Sequence, residues 1–329
     1  MSHRSLLAIL GSVVAALFLA SLLVGPAGLD LATSIGGLFN GDNEAARLVM
    51  QEIRLPRAIL GLMIGATLGL SGAVLQGYLR NPLADPGVLG ISSSASFGAV
   101  IAIYTGLSAA FSLALPLMAM AGAVGAVVLI QLLSGAYAGT LTLILSGVAI
   151  TSLAGAMTSL ALNLSPNPFA ALEILFWMLG SLADRSMLHV WMSAPFMVAG
   201  WVMLLALGRA LDALTLGRDV ASSMGIRLAR TQWLAVLGTA ASVGAATAVA
   251  GAISFVGLIV PHMLRPLVGA QPSRLLTASA LGGAALILAS DIATRIIAPG
   301  RDLKLGVLTA IVGAPFFLWL VIKNRRNVL

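Results

Sequence analysis

The sequence predicts an all-α polytopic membrane protein with about ten transmembrane helices, and three observations carry that prediction. Of the 329 residues, 59% are hydrophobic and only 9% charged, with a mean hydropathy of +1.04. A water-soluble domain carries about 25% charged residues, so this chain has too little polar surface to face water. The apolar runs, such as Leu6–Val24 and Ala235–Ile253, are continuous, whereas a barrel strand would alternate apolar and polar residues over about ten positions. Helices satisfy their own backbone groups in lipid, which makes them the fitting solution for continuous runs. Finally, 36 glycines against 5% aromatics point to backbones that approach closely within a tight bundle.

Each crossing takes roughly 20 apolar residues to span about 30 Å of hydrocarbon. Turn and charge signals then divide the chain into crossings near 5–25, 57–78, 91–107, 113–134, 140–162, 188–208, 233–253, 255–269, 275–297 and 305–323. The third and eighth are short. The first follows Ser2-His3-Arg4 and leads into Val24-Gly25-Pro26-Ala27-Gly28 without an A-x-A-like cleavage site, so it reads as an uncleaved helix rather than a signal peptide. The remaining loops are short, leaving one membrane domain over 1–329.

Charge orients this bundle. With the N-terminus inside, the inner loops hold Arg4, Arg80, Arg209, Arg218, Arg227, Arg230, Arg265, Arg274, Lys323, Arg325 and Arg326, against three acids, Asp85, Asp212 and Asp219. That bias favours both termini in the cytoplasm. It also accounts for a sequence pI near 11.0 without nucleic acid as a partner. Residues 65–74 (GATLGLSGAV) and 244–253 (GAATAVAGAI) share G-A-x5-G-A-[VI] and would run in opposite directions, as inverted transporter repeats do.

Several chemistries lack their residues. The only lysines are Lys304 and Lys323 and no G-x-x-x-x-G-K-[ST] occurs, so the chain has no recognisable phosphate-cradling loop. Cysteine is absent, and His3, His189 and His262 are far apart, which argues against a metal centre. Within the predicted crossings Asp291 is the clear carboxylate, and Arg295 four residues later makes it half of an i,i+4 ion pair. A carrier driven by protons or sodium places unpaired ionisable groups or broken helices at mid-membrane. The sequence offers little of the former, so the energy for transport is expected from another subunit.

The segment Arg54-Leu-Pro-Arg57 followed by GLMIGATLGLSGAVLQGYLRNPLADPGVLGISSSASFG (61–98) resembles the FecCD/BtuC-like permeases of ABC importers for iron chelates, haem and vitamin B12. The resemblance continues through Gly147-Val-Ala, Trp177-Met-Leu-Gly-Ser-Leu182, GAISFVGLIVPHMLRPLVG (251–269), Ala289-Ser-Asp-Ile-Ala-Thr-Arg295 and GVLTAIVGAPFF (306–317). It covers nearly the whole chain in order. It implies a vitamin B12-permease-like fold with inverted repeats and a homodimer with its pathway on the two-fold axis. It also implies two cytoplasmic ATPase subunits that bind Mg-ATP, a periplasmic binding protein, and no cofactor or metal in this chain.

The resemblance assigns roles to residues. Arg54, Arg57 and Arg295 match positions that dock the binding protein, and a guanidinium fork suits carboxylates; snorkelling anchors at helix ends are the plainer alternative. Residues 209–230 match the loop that couples to the ATPase as two short helices. Within it, Arg218, Ala221, Ser222, Ser223 and Met224 lead to Gly225, which would permit a sharp turn. Asn81 and Leu83, around Pro82, and Thr140 with Leu141 match two cytoplasmic gates, although Leu141 is apolar where the vitamin B12 permease is polar. His262 and the 13 methionines read as packing residues. The expected cargo is an iron-siderophore or haem, with vitamin B12 the alternative; the rival from another class is a stand-alone secondary carrier. The localisation implied is the bacterial inner membrane.

Overall fold

The computed structural model describes residues 2–39, 43–111, 113–135, 139–165, 167–299 and 303–325, with backbone only at 321 and 323–325. Arg326 therefore lies outside the described residues. No strand occurs among them. The helices are α1 (His3–Leu23), α2 (Leu31–Leu38), α3 (Glu44–Leu48), α4 (Leu55–Tyr78), α5 (Ile91–Tyr104), α6 (Leu107–Ala110), α7 (Ala114–Ser134) and α8 (Thr140–Asn163). They continue as α9 (Pro168–Met178), α10 (Met187–Leu205), α11 (Gly208–Leu214), α12 (Arg218–Ser223), α13 (Leu228–Ala250), α14 (Val256–Leu264), α15 (Pro272–Ile297) and α16 (Leu305–Arg325).

All ten expected crossings have a helix, and seven helices among the described residues are long and apolar enough to cross a membrane unaided. The third and eighth crossings are short, as expected: α5 has 14 residues and α14 nine. At 1.5 Å per residue they span about 21 and 14 Å, so irregular backbone completes each. Before α5 the chain turns at Arg80 (φ +50°) and passes through a short 3₁₀ segment, Pro86–Leu89. Before α14 it runs non-helically from Gly251 to Ser254. Helix α9 is outside the expected set, because 11 residues fall well short of a crossing.

The second crossing begins earlier than expected. Pro56 looks like a helix start, yet α3, a π-helical stretch (Val49–Arg54) and α4 form one continuous rod from Glu44 to Tyr78. Proline lacks the N–H and crowds the carbonyl four residues before it. A widened π turn upstream relieves both, and Leu55 N–H donates back to Met50 O.

Helix α4 is the axis of the bundle and packs most extensively on α15. Small residues make this possible. A Cβ on Gly65 or Gly69 would collide with the backbone oxygens of Gly283 or Ser279, and one on Gly72 with Gly257 O of α14. Backbones this close exchange dispersion contacts that larger side chains would prevent. Helices α4 and α13 are antiparallel, since Ser71 meets Ser242 and Tyr78 meets Gln232. The two G-A-x5-G-A copies thus run in opposite directions, but they are not equivalent in place: 65–74 lies wholly within α4, whereas α13 ends at Ala250 and Gly251 (φ +74°) leaves the helix.

Candidate functional site: two ends and a polar cavity

At one end of the bundle, the three arginines singled out by the sequence converge on α1 and Asp291. Arg295 Nη2 lies 2.6 Å from Asp291 Oδ2, the expected i,i+4 pair. Arg57 approaches the same carboxylate from α4, with Nη2 2.8 Å from Oδ1. Arg54 Nη1 donates to the carbonyls of Leu22 and Leu23 at 2.9 and 3.0 Å, and Arg295 Nη1 to those of Ser21 and Val24 at 2.8 and 2.6 Å. Two guanidiniums therefore satisfy the last carbonyls of α1, which otherwise lack intrahelical partners, and favour the negative end of its dipole.

The three arginines differ in exposure. Arg54 is only 4% exposed, and its guanidinium serves as an internal cap on α1. Arg295 is 7% exposed and Arg57 19%, which leaves Arg57 as the one of the three with appreciable surface. Beside α9, a cleft of about 520 Å³ carries Glu173, Asp184, Arg185 and Lys304 around Phe176 and Trp177. Lys304 Nζ stands 5.7 Å over the Phe176 ring. Burial lowers the pKa of Arg185, and Asp184 opposes that shift.

At the opposite end, residues 209–230 form two short helices as expected, α11 and α12. Helix α11 is fastened to the bundle by Asp212, whose Oδ1 accepts the Ser273 N–H at 2.8 Å and Oδ2 the Gln271 amide at 3.2 Å. An α11 carboxylate thus caps the start of α15. Arg218 opens α12, Ala221 is the buried residue within it, and Ser222, Ser223 and Met224 are exposed. Gly225 has φ +85°, with Ile226 N–H donating to Ala221 O and Gly225 N–H to Ser222 O. This double bond pattern is a Schellman cap, for which glycine is the favoured residue. Leu216, Val220 and Met224 present 63%, 44% and 60% of their surface, an apolar strip on a polar loop.

Asn81 and Leu83 lie in the turn after α4. Asn81 N–H donates to Gln76 O, its Oδ1 accepts from Leu83 N at 3.0 Å, and Arg80 takes the left-handed position of a second Schellman cap. Thr140 and Leu141 open α8 after Gly139, and Leu141 is 67% exposed. Residues 136–138, just before them, lie outside the described set.

Two features escaped the sequence. Gln76 donates to Gly257 O and Leu258 O and accepts from Arg265 Nη2 at 2.6 Å, so Arg265 clasps α14 to α4 rather than serving only as a loop charge. Asp85, expected on an inner loop with Asp212 and Asp219, instead lines a cavity of about 400 Å³ beside Leu68, near the middle of α4. That cavity is bounded by the starts of α5 and the 3₁₀ segment, the later turns of α8, and Ala252–Ser254. Beyond Ala252 and Ser254 a second, apolar cavity of about 660 Å³ runs along α16 from Gly306 to Pro315. Turn chemistry around Pro82 was visible in the sequence; the return of the chain to mid-depth was not.

The comparisons agree with this architecture. The model of the FecCD transport family matches residues 13–323. The ferric enterobactin transport system permease protein FepD of Escherichia coli is 39% identical over 314 residues, covering 93% of this chain and 92% of its own. The vitamin B12 import system permease protein BtuC of Vibrio vulnificus is 36% identical, covering 84% and 83%. A solved chain from an inward-facing metal-chelate type ABC transporter superposes with a TM-score of 0.87 at 32% identity, over 97% of this chain and 99% of that one. The chain belongs to the FecCD transport family and is a multi-pass membrane permease of the ABC importer type.

Proposed function

We propose that this permease, as one membrane domain paired with a second copy, carries an iron chelate (a siderophore complex or haem) across the bacterial inner membrane. The observation that supports this reading best is the polar cavity at mid-helix depth. A carboxylate is costly against lipid and belongs to a bundle interior or an aqueous route, and the hydroxyls clustered around it suit the same setting. The cavity is lined by the later turns of α8 and by Ala252–Ser254, and in this reading that face is the wall of the pathway.

In this reading a loaded periplasmic binding protein docks at the Arg57 end, with Arg57 and the mixed-charge cleft meeting its carboxylates. Arg54 and Arg295 hold the ends of α1, α4 and α15 in place beneath. At the other end, with both termini cytoplasmic, the exposed Leu216, Val220 and Met224 seat in a groove of a partner ATPase. Closure of two ATPase subunits on Mg-ATP moves α12 and α11, and Asp212 passes that movement on to α15. The turn at Asn81 and Leu83 and the opening turn of α8 at Thr140 and Leu141 then part as gates. This chain needs no cofactor of its own for such a cycle.

Reconstitution of the permease with its ATPase and binding protein in proteoliposomes tests the reading. ATP-dependent uptake of a radiolabelled ferric chelate or haem is the expected result, and uptake of cobalamin alone would transfer the assignment to vitamin B12. Uptake that persists without the ATPase would sink the proposal in favour of a secondary carrier.

A further inference from the structure

The cavity beside Leu68 has an uneven chemistry. Its lining includes six hydroxyl side chains, Ser92, Ser93, Ser96, Thr158, Ser159 and Ser254, together with the Asp85 carboxylate. No lysine, arginine or histidine is among the lining residues. Asp85 Oδ1 accepts the Gly87 N–H at 2.9 Å, which orients the carboxylate and favours its charged form against the cost of burial. The non-helical run from Gly251 to Ser254 borders the same space, and backbone released from a helix at mid-membrane is the usual material of a transport site. The neighbouring cavity along α16, lined by Gly306, Val307, Ala310, Ile311, Ala314 and Pro315, is apolar apart from its shared Ser254 edge.

A carboxylate between low-dielectric walls focuses a negative potential, which concentrates cations and repels anions. Hydroxyls accept and donate equally well, so they do not reverse that sign. A ligand in this space meets hydrogen-bonding groups on the α5 and α8 side and apolar groups on the α16 side.

We propose that the Asp85 cavity is a transient subsite of the pathway that admits neutral or cationic chelates rich in hydrogen-bond donors and disfavours polyanionic ones. This rests on the reading of the α8 face as the pathway wall. A neutral ferric hydroxamate fits it, whereas a ferric tris-catecholate with three negative charges does not.

The chain contains no cysteine, so a single cysteine in the permease, read on the separated permease band, reports without background from this chain. Ser93→Cys and, as an exposed control, Asn163→Cys at the end of α8 are placed in the complete reconstituted transporter. Each is treated with a cationic trimethylammonium-ethyl or an anionic sulfonato-ethyl methanethiosulfonate. Relative to the control, the cation-to-anion rate ratio at Ser93→Cys is expected to rise at least about threefold, and to fall back when Asp85→Asn is added. Labelling is expected to reduce uptake of whichever chelate that same variant carries. A ratio equal to the control, or one unmoved by Asp85→Asn, overturns the charge selection. Labelling that leaves uptake intact overturns the subsite. Absence of ATP-dependent uptake for every chelate in the unsubstituted complex, with the charge preference intact, refutes the transport assignment instead.

Discussion

Arg57 and Asp291 lie 234 positions apart in the chain yet share two hydrogen bonds, from Nε to Oδ1 at 2.9 Å and to Oδ2 at 3.1 Å. Arg295 completes the group from the other side, so one carboxylate with 1% exposure serves two guanidiniums. Removing that carboxylate leaves a buried cation, Arg295, and a partly buried one, Arg57, without their counter-charge. Breaking a buried pair in this way costs about 3–5 kcal/mol. Asp291→Ala is therefore expected to lower the thermal midpoint of the detergent-solubilised protein sharply, and more than Arg57→Ala does. A midpoint unchanged by Asp291→Ala would show that the cluster contributes little.

The arginines differ in what they can touch, and their substitutions should separate accordingly. Arg57→Glu is expected to weaken binding-protein docking, most strongly at low salt where screening is least. Arg54→Met is expected to reduce stability by removing two caps on α1 while docking affinity stays near its starting value. Surface plasmon resonance on nanodisc-held permease reads the affinities. Equal losses of docking from both variants would contradict the burial-based division.

Gly225 sits at φ +85°, where a side chain costs about 1–2 kcal/mol. Gly225→Val is expected to distort the end of α12 and to lower the number of chelates imported per ATP hydrolysed, with the bundle still folded. Paired ATPase and uptake measurements give that ratio. A normal ratio would separate the 209–230 loop from energy coupling.

The seam of α4 and α15 offers a sharp contrast among glycines. Gly69→Ala places a methyl group on the Ser279 carbonyl, whereas nothing lies within 4 Å of a Cβ at Gly125. Overpacking typically costs about 1–3 kcal/mol, occasionally more. Gly69→Ala should thus reduce the yield of folded protein and Gly125→Ala should not, as fluorescence-detected size-exclusion chromatography would read. Equal yields would mean that the seam can part at little cost.

Much of this architecture is written in short-range signals. Continuous apolar runs located a helix in each of the ten expected crossings, the Asp291–Arg295 spacing announced its ion pair, and Gly225 marked a turn that proves to be a Schellman cap. What was hidden depends on distant partners. Pro56 reads locally as a helix start, and only the π turn before it, packed on α1, carries the helix through. Nothing near Arg54 says that its donors are committed to the end of α1. Asp85 follows the turn around Pro82 and looks like a loop acid. Its return to mid-depth depends on packing against α8, where Gly147 admits the Val88 carbonyl. The helix α9 is too short for a hydropathy criterion, although its composition is strongly apolar.

The Arg57–Asp291 bond also sets a clock on biosynthesis. A ribosome adding about 5–20 residues per second delivers Asp291 on the order of ten to fifty seconds after Arg57. Through that interval the second crossing waits in or beside the insertion machinery with its guanidinium uncompensated and its glycine seam empty. The nascent bundle is thus most exposed to membrane proteases late in translation, and a chain truncated before residue 291 should be cleared rather than accumulate.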